Sequence, residues 1–456
     1  MIEPGLPHLV GIQQVEPCGY DRAAIEQGLV SALAHIGLTV DPAHPARGPL
    51  ASLVSPGDTV VLKPNMVGLQ ASFVDRGCLV THAEVVRAAA LLAAEALAGS
   101  GRLVVADGPH SLSDFSAAAS LLGLDSLRDE VADLHGIGLE VVDLRADPLG
   151  YAEFDLGRRS EFREAPEAGR FRSNDDDPGA MRSAHGAGRH SYRLAGTVLT
   201  ADVLINLPKM KTHQKTGVTL ALKNLVGIAG DRGALPHFTT GGPGRGGDEG
   251  PDLGWRPGSR RTLFRVTARL AAARRLKGLV RRALRRYDMQ LPRSPAIAGG
   301  NWHGNDTAWR MVLDLNKLFF HGRRDGALVL PEAAPGERKH RMLTIVDGVV
   351  AGEGNGPIMT EPRPLGLLAA GLNPVAVDTA CSLVMGFDPG SIEMIRNAWT
   401  LEDLPLVGFS QAAVRCASNV PQWNGGLAEL AHAPHCALEP CSGWKGHIER
   451  RTSPSG

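Results

Sequence analysis

The chain is 456 residues long, enough for one elaborated α/β domain or for two or three smaller ones. Hydrophobic residues at 43% and charged residues at 21% describe a globular chain rather than a disordered one. Lys+Arg and Asp+Glu each total 48, so net charge gives no reason to expect nucleic acid or a membrane surface as partner.

The opening MIEPGLPHLVGIQQVEPCGY has neither a basic n-region nor a long apolar run, so no signal peptide is expected. No stretch of roughly 18 uninterrupted apolar residues follows. The expectation is therefore no membrane span and a cytoplasmic location. Apolar residues at helical spacing predict a helix over residues 21–38, and the run DTVVLK at 58–63 predicts a strand ending in Pro64-Asn65. Thr81, with Glu84 three residues later, forms a capping-box pattern for a helix over 82–98. A strand at 103–107, a helix near 113–122 and a strand near 139–144 come next. This β-α-β-α-β order predicts an α/β fold, a mostly parallel sheet with helices on both faces, interrupted by polar and helical insertions.

Residues 151–195 are rich in Arg, Asp, Glu and Gly, including the run Asn174-Asp175-Asp176-Asp177, and predict a polar hairpin or loop insertion. Apolar strand character resumes at 199–207. A second insertion from 231 to about 338 holds the Gly-rich TTGGPGRGGDEG, then a predicted helix over 260–287 with eleven basic residues and no acid. That helix fits an anionic partner or, more simply, a solvated surface helix with Leu270, Leu276, Leu279, Val280 and Leu284 packed inward. The α/β rhythm returns with a strand at 343–348, a flexible turn GEGNGP at 352–357, an apolar run at 365–371 and a helix over 375–385. The expected divisions are an N-terminal α/β region (1–150), a polar insertion (151–198), a lysine–histidine core (199–230), an insertion with the basic helix (231–338), a C-terminal α/β region (339–425) and a tail (426–456).

The six cysteines, Cys18, Cys78, Cys381, Cys416, Cys436 and Cys441, show no C-x-x-C pair and no ferredoxin-like run. They read as reduced thiols, and no iron–sulfur cluster is expected.

The chemistry concentrates in VLINLPKMKTHQKTGVTLALKNLVGIAG, residues 203–230. A buried strand leads into Lys209, Lys211 and His213, whose alternation puts them on one side of an extended backbone. Open α/β sheets bind ligands at the C-terminal edge of such strands. The plainer alternative is a basic surface loop. The other strand ends deliver Lys63, Asn65, Asp107 and Asp347 to the same edge, and Gly354 and Gly356 lie in a loop whose N–H groups suit an oxyanion. Two accounts stay open. In one, Lys63, Lys209, Lys211 and Lys223, aided by Asn65, Thr216 and Asn224, bind a carboxylate or phosphate, and His213 moves a proton. One of the crowded lysines would then have a depressed pKa and serve as base or nucleophile. In the other, Asp107, Asp347, Glu353 and Asp378, with His82 or His213 as a further ligand, hold a divalent metal, although no diagnostic ligand spacing supports it. Asp378 also reads as a helix-dipole residue, and the remaining histidines, His237 among them, read as surface or structural groups.

The strings VVLKPNMV (60–67), THAEVVRAA (81–89), VVADGP (104–109), LINLPKMKTHQKTGVTLALKNLVGIAGD (204–231), TIVDGVVAGEGNGP (344–357) and GLNPVAVDTACSLVMGFDP (371–389) resemble the family of domain of unknown function 362. The resemblance supplies no reaction. It sets this chain apart from members with a ferredoxin-like cysteine module, and GNWHGNDTAWRMVLDLNK (300–317) looks like a feature of a longer subgroup. There Asn305, Asp306, Arg310 and Asp314 add a second polar cluster expected along the same cleft. The leading expectation is an enzyme acting on a small or medium anionic substrate, with Lys209, Lys211 and His213 at its catalytic centre. The alternatives are a non-catalytic anion-binding or redox and assembly accessory protein, and a metal-dependent hydrolase or isomerase. An oligomer is compatible with either.

Overall fold

Apolar runs become strands, and most of them join one sheet. In the computed structural model, residues 6–16, 19–67, 77–110, 113–162, 168–174, 177–186, 188–250, 299–330 and 340–450 are described. The predicted basic helix at 260–287 lies outside them. The eleven-stranded sheet contains β1 (Leu9–Gln14), β2 (Thr59–Pro64), β3 (Arg102–Asp107), β4 (Leu139–Asp143), β5 (Val203–Leu207), β6 (Lys209–His213), β7 (Gly217–Thr219), β8 (Arg341–Asn355), β9 (Met359–Gly371), β10 (Arg415–Ser418) and β11 (Gly425–Gly426). Its order is β11-β10-β1-β9-β8-β5-β2-β3-β4, with β6 paired to β7 and β8. The half from β8 to β4 is parallel throughout, and the antiparallel pairings sit in hairpins and around β9. This is the expected α/β class.

Alternation along the strands explains the layering. Val60, Leu62, Leu103, Val105, Val203 and Ile205 bury into one core, where Ile25, Leu29, Val85 and Leu127 of the helices Arg22–Ala34, Ala83–Leu97 and Leu124–His135 meet them. Val61, Val104, Ala106, Leu204 and Val346 face the other core, packed by the helices Ala308–His321 and Pro374–Met385. A sheet buried on both faces needs apolar side chains at consecutive positions, which is why these strands read as unbroken runs.

Several elements differ from expectation. His82, not Thr81, caps the Ala83–Leu97 helix, its ring nitrogen accepting from the Glu84 N–H. Thr81 is drawn into the core instead, where its hydroxyl accepts from the Asn65 N–H and donates to the Leu207 carbonyl. The Leu124–His135 helix has no counterpart in the sequence reading, because its N-cap is Gly123 in a left-handed conformation with no side-chain cap. The GEGNGP segment is not a free turn: β8 runs through Asn355 and returns at Met359. The stretch after Tyr151 is polar in composition, yet Phe154, Phe162, Phe171 and Tyr192 are buried there around a small antiparallel sheet.

Candidate functional site

The parallel strands end at one edge, and their register sets the polar groups side by side. Lys63 of β2 is level with Asn206 of β5, and Asn206 with Thr344 of β8. Beyond β5 the chain steps at Pro208 into β6, which pairs with the long β8 so that Lys209 is level with Asp347 and Lys211 with Gly352. The register shifts between those two lysines. Their ammonium groups end in different environments.

Lys209 is sealed. Its Nζ donates to Asp347 Oδ2 at 2.9 Å and to the Tyr20 hydroxyl at 2.6 Å, and Tyr20 in turn donates to Asp347 Oδ1 at 2.8 Å. The His82 N–H donates to the same carboxylate, and the His82 ring stacks on Tyr20 at 3.5 Å. Both charges are fully buried, so the short ion pair and its extra hydrogen bonds offset desolvation. Lys63 is held the same way, donating to Asp107 Oδ1 at 2.6 Å while Asp107 Oδ2 accepts from the Met66 N–H. Gly227 packs directly on this pair: a Cβ there would lie 2.1 Å from Asp107 Oδ1 and 2.7 Å from Lys63 Nζ. Only glycine permits that approach.

A second set of cations lies nearby. Lys211 is fully buried, donating to the Leu79 carbonyl at 2.5 Å. Lys215 reaches the Gly299 carbonyl and lies over the Phe238 ring. Lys223, in the short Ala221–Asn224 helix, is half-buried and makes no hydrogen bond or ion pair among the described residues. Arg232 donates to the Val226 carbonyl. Burial above all, then Arg232, Lys211, Lys63 and Lys215, lowers the Lys223 amine to about 7. Burial also lowers Lys215 to about 7, with Asp248 pulling it back. The Lys63 amine is lowered by burial and by Arg232, against the pull of Asp107. Burial leads in all three, and neighbouring cations add to it for Lys223 and Lys63 but not for Lys215.

Two imidazoles complete the cluster. His213 and His237 are both held well below their usual range, first by burial, and for both the largest charge effect is Lys223. Both are therefore neutral, and their hydrogen bonds fix their tautomers. The Lys215 N–H donates to His213 Nδ1 at 3.0 Å, which leaves the proton on Nε2. The Leu235 carbonyl can only accept, so His237 carries its proton on Nδ1 and keeps a lone pair on Nε2. One ring offers a donor and the other an acceptor. Asn305 positions the His237 loop by donating to the His237 carbonyl. The C-terminal segment closes over the β6–β7 turn: Trp444 donates to the Gln214 carbonyl, and its ring lies 3.2 Å from where a Cβ on Gly217 (φ +79°) would stand.

The other expected site residues are placed as follows. Asn65 lies beside Lys211, and its Oδ1 accepts from the Val67 N–H. Asn224 ties β5 to β2 through Asn206 and the Lys63 carbonyl, and Thr216 donates to the Val218 carbonyl. The Gly354 and Gly356 N–H groups donate to the carbonyls of Glu439 and Gly354, so these two amides are already occupied by the chain. Asp378 accepts from the N–H groups of Ala221 and Leu222, capping the helix that carries Lys223, and burial raises it to about 7. Asp107, Asp347 and Asp378 thus serve three separate partners. Among the described residues no three His, Cys, Asp or Glu side chains gather as metal ligands. Asp306 pairs with Arg310 on the surface, and Asp314 is buried against Ser160 and Tyr192. Sequence reasoning missed Lys215, Arg232 and His237. Lys215 continues the Lys-x-Lys-x-His alternation by one step, a signal that was present; nothing local marks Arg232 or His237.

A family model described as Domain of unknown function (DUF362) matches residues 155–382, half of the chain. A thylakoid-associated protein of Synechocystis sp. is 25% identical over 362 residues, covering 79% of this chain and 72% of the relative. A crystal structure of a Thermotoga maritima protein matches 80% of this chain with 14% identity and a TM-score of 0.32. The chain spans 58% of that protein's length. Among the described residues no helix is long and apolar enough to cross a membrane.

Proposed function

The chain belongs to the family described as domain of unknown function 362, and we propose that it is an enzyme acting on a small substrate bearing a carboxylate or phosphate. The observation that carries this reading is Lys223, a half-buried lysine with no hydrogen bond or ion pair among the described residues. Lys63, Lys211, Lys215 and Arg232 lie near it, Lys63 engaged by Asp107 and Lys215 pulled on by Asp248. Folding gains nothing from like charges held together; a bound anion removes the repulsion. Lys215 and Lys223 act as anion receptors, His213 Nε2–H as hydrogen-bond donor and His237 Nε2 as proton acceptor. Lys209, expected at the catalytic centre, serves as a structural lock. The metal-dependent alternative draws no support from carboxylates engaged in three different places.

The test compares melting temperatures in inorganic phosphate, malonate and chloride at equal ionic strength. Phosphate or malonate should raise the melting temperature by several degrees beyond chloride through binding to the folded state. The Lys215→Met/Lys223→Met double variant should lose that increment. Equal responses of parent and variant would contradict the reading.

The relative's description as thylakoid-associated favours a second reading, an anion-holding accessory protein that docks on a larger assembly. It shares the receptor and gives His213 and His237 no proton to move.

A further inference from the structure

A cavity of about 300 Å³ opens at the start of the Ala83–Leu97 helix, against the outer side of the Lys209 lock. Tyr20 and His82 line it as a flat stack, with 3.5 Å between ring centroids and 9° between planes. Val350 joins that wall, its N–H donating to the Tyr20 hydroxyl at 3.2 Å. Val80, Ala83 and Leu121 give the space further apolar lining, and no Lys, Arg, Asp or Glu side chain stands among its described lining residues. Leu121 ends the helix Phe115–Leu121 and leaves 49% of its surface exposed, a large apolar side chain that the fold does not cover. One polar group accompanies these walls. Ala83 is the first residue of its helix, where a backbone N–H has no intrahelical partner. The Glu84 N–H is taken by the His82 ring, and those of Val85 and Val86 by the His82 carbonyl, whereas the Ala83 N–H makes no hydrogen bond among the described residues.

We propose that this cavity binds a neutral aromatic compound that carries a carbonyl or ether oxygen. Size sets the first limit: an apolar cavity of about 150 Å³ holds benzene, so a space of about 300 Å³ takes roughly two fused rings. Charge sets the second. A charged ligand would give up its hydration and meet no counter-ion on the described walls. The Tyr20 and His82 rings favour a planar partner, which meets them by stacked or edge contacts, while the ligand also covers Leu121. Its oxygen accepts from the Ala83 N–H. The site is separate in chemistry from the lysine cluster, yet it touches the scaffold of the motif: Tyr20 donates to Asp347, and so does the His82 N–H. A bound ring therefore braces the residues that seal Lys209, and binding stabilises the folded state.

The experiment titrates the full chain, ¹³C-labelled at its Val and Leu methyl groups, with coumarin as the probe, and with 2-naphthoate and cyclohexanone as charged and non-aromatic controls. Coumarin should bind saturably, shift the methyl signals of Val80, Leu121 and Val350 before others, and raise the melting temperature. Its dissociation constant should lie about ten-fold or more below that of either control. Ala83 is partly exposed, so Ala83→Leu can fold while filling the space, and it should weaken coumarin binding by about ten-fold or more. Leu121→Ala, which removes one wall at an exposed position, should weaken it by about three-fold or more. Both variants are checked for a cooperative thermal transition, and Leu121→Ala carries the test if Ala83→Leu fails to fold. Coumarin that does not saturate, shifts centred on other methyl groups, a control that binds as tightly, or a folded variant with unchanged affinity would each overturn the proposal.

Discussion

Lys209 and Lys223 lie 14 residues apart in one motif and illustrate opposite treatments of a lysine amine. Around Lys209 the protein supplies a carboxylate and a phenol within normal hydrogen-bond distance, and the His82 imidazole stacks on that phenol. Around Lys223 it supplies four more cations and two neutral imidazoles. The first arrangement is complete in itself and stabilises the fold. The second places like charges near one another, and on the proposed reading a bound anion eases their repulsion. A conspicuous lysine motif therefore does not mark one site, and what decides each residue's role is whether folding already supplies its counter-charge.

The largest effect should come from breaking the closed region. Asp347→Ala removes the partner of Lys209 and the acceptor for Tyr20 and the His82 N–H, leaving a buried ammonium uncompensated. The expected loss is about 3–5 kcal/mol, read by chemical denaturation. A loss below about 1 kcal/mol would show that Lys209 finds water or another acceptor.

Removing charge from the open region should act in the opposite direction. Lys223→Met relieves crowding and should stabilise the empty protein by on the order of 1 kcal/mol at pH 7. The sign follows from linkage. The folded amine titrates near 7 and the unfolded one near 10.5. Above about 10.5 neither form is charged, and wild type bears no penalty. As pH falls toward 7, the unfolded chain binds the proton first and wild-type stability is lost; below 7 the penalty is constant. The variant's advantage should therefore grow between pH 10.5 and 7 and then level off, as thermal unfolding across that range would show. A variant less stable than wild type at pH 7 would place a stabilising partner on Lys223.

Much of the scaffold was legible because strands buried on both faces leave unbroken apolar runs, as at 103–107 and 203–207, and because Asp21 and Asn373 are ordinary helix caps. The Leu124–His135 helix was not, since its glycine cap leaves no side-chain signal. At the site, Lys63, Lys211, His213 and Lys223 could be read from strand ends and spacing. Arg232 and His237 could not, because they join the cluster through loops whose path depends on distant contacts such as Asn305 with the His237 carbonyl. Nor could the separation of Lys209 from Lys211 be read. It depends on which residue of β8 each faces, and the register shift between them is a tertiary feature.

The most direct test of the contrast is an NMR titration of the protein with ¹³C-labelled lysine side chains, resonances assigned with Lys209→Met and Lys223→Met, with and without inorganic phosphate. Lys223 should titrate near 7 in the empty protein and move upward by a unit or more when phosphate binds, while the Lys209 signal stays unmoved by phosphate. A Lys223 signal that titrates near 10 and ignores phosphate would contradict the account.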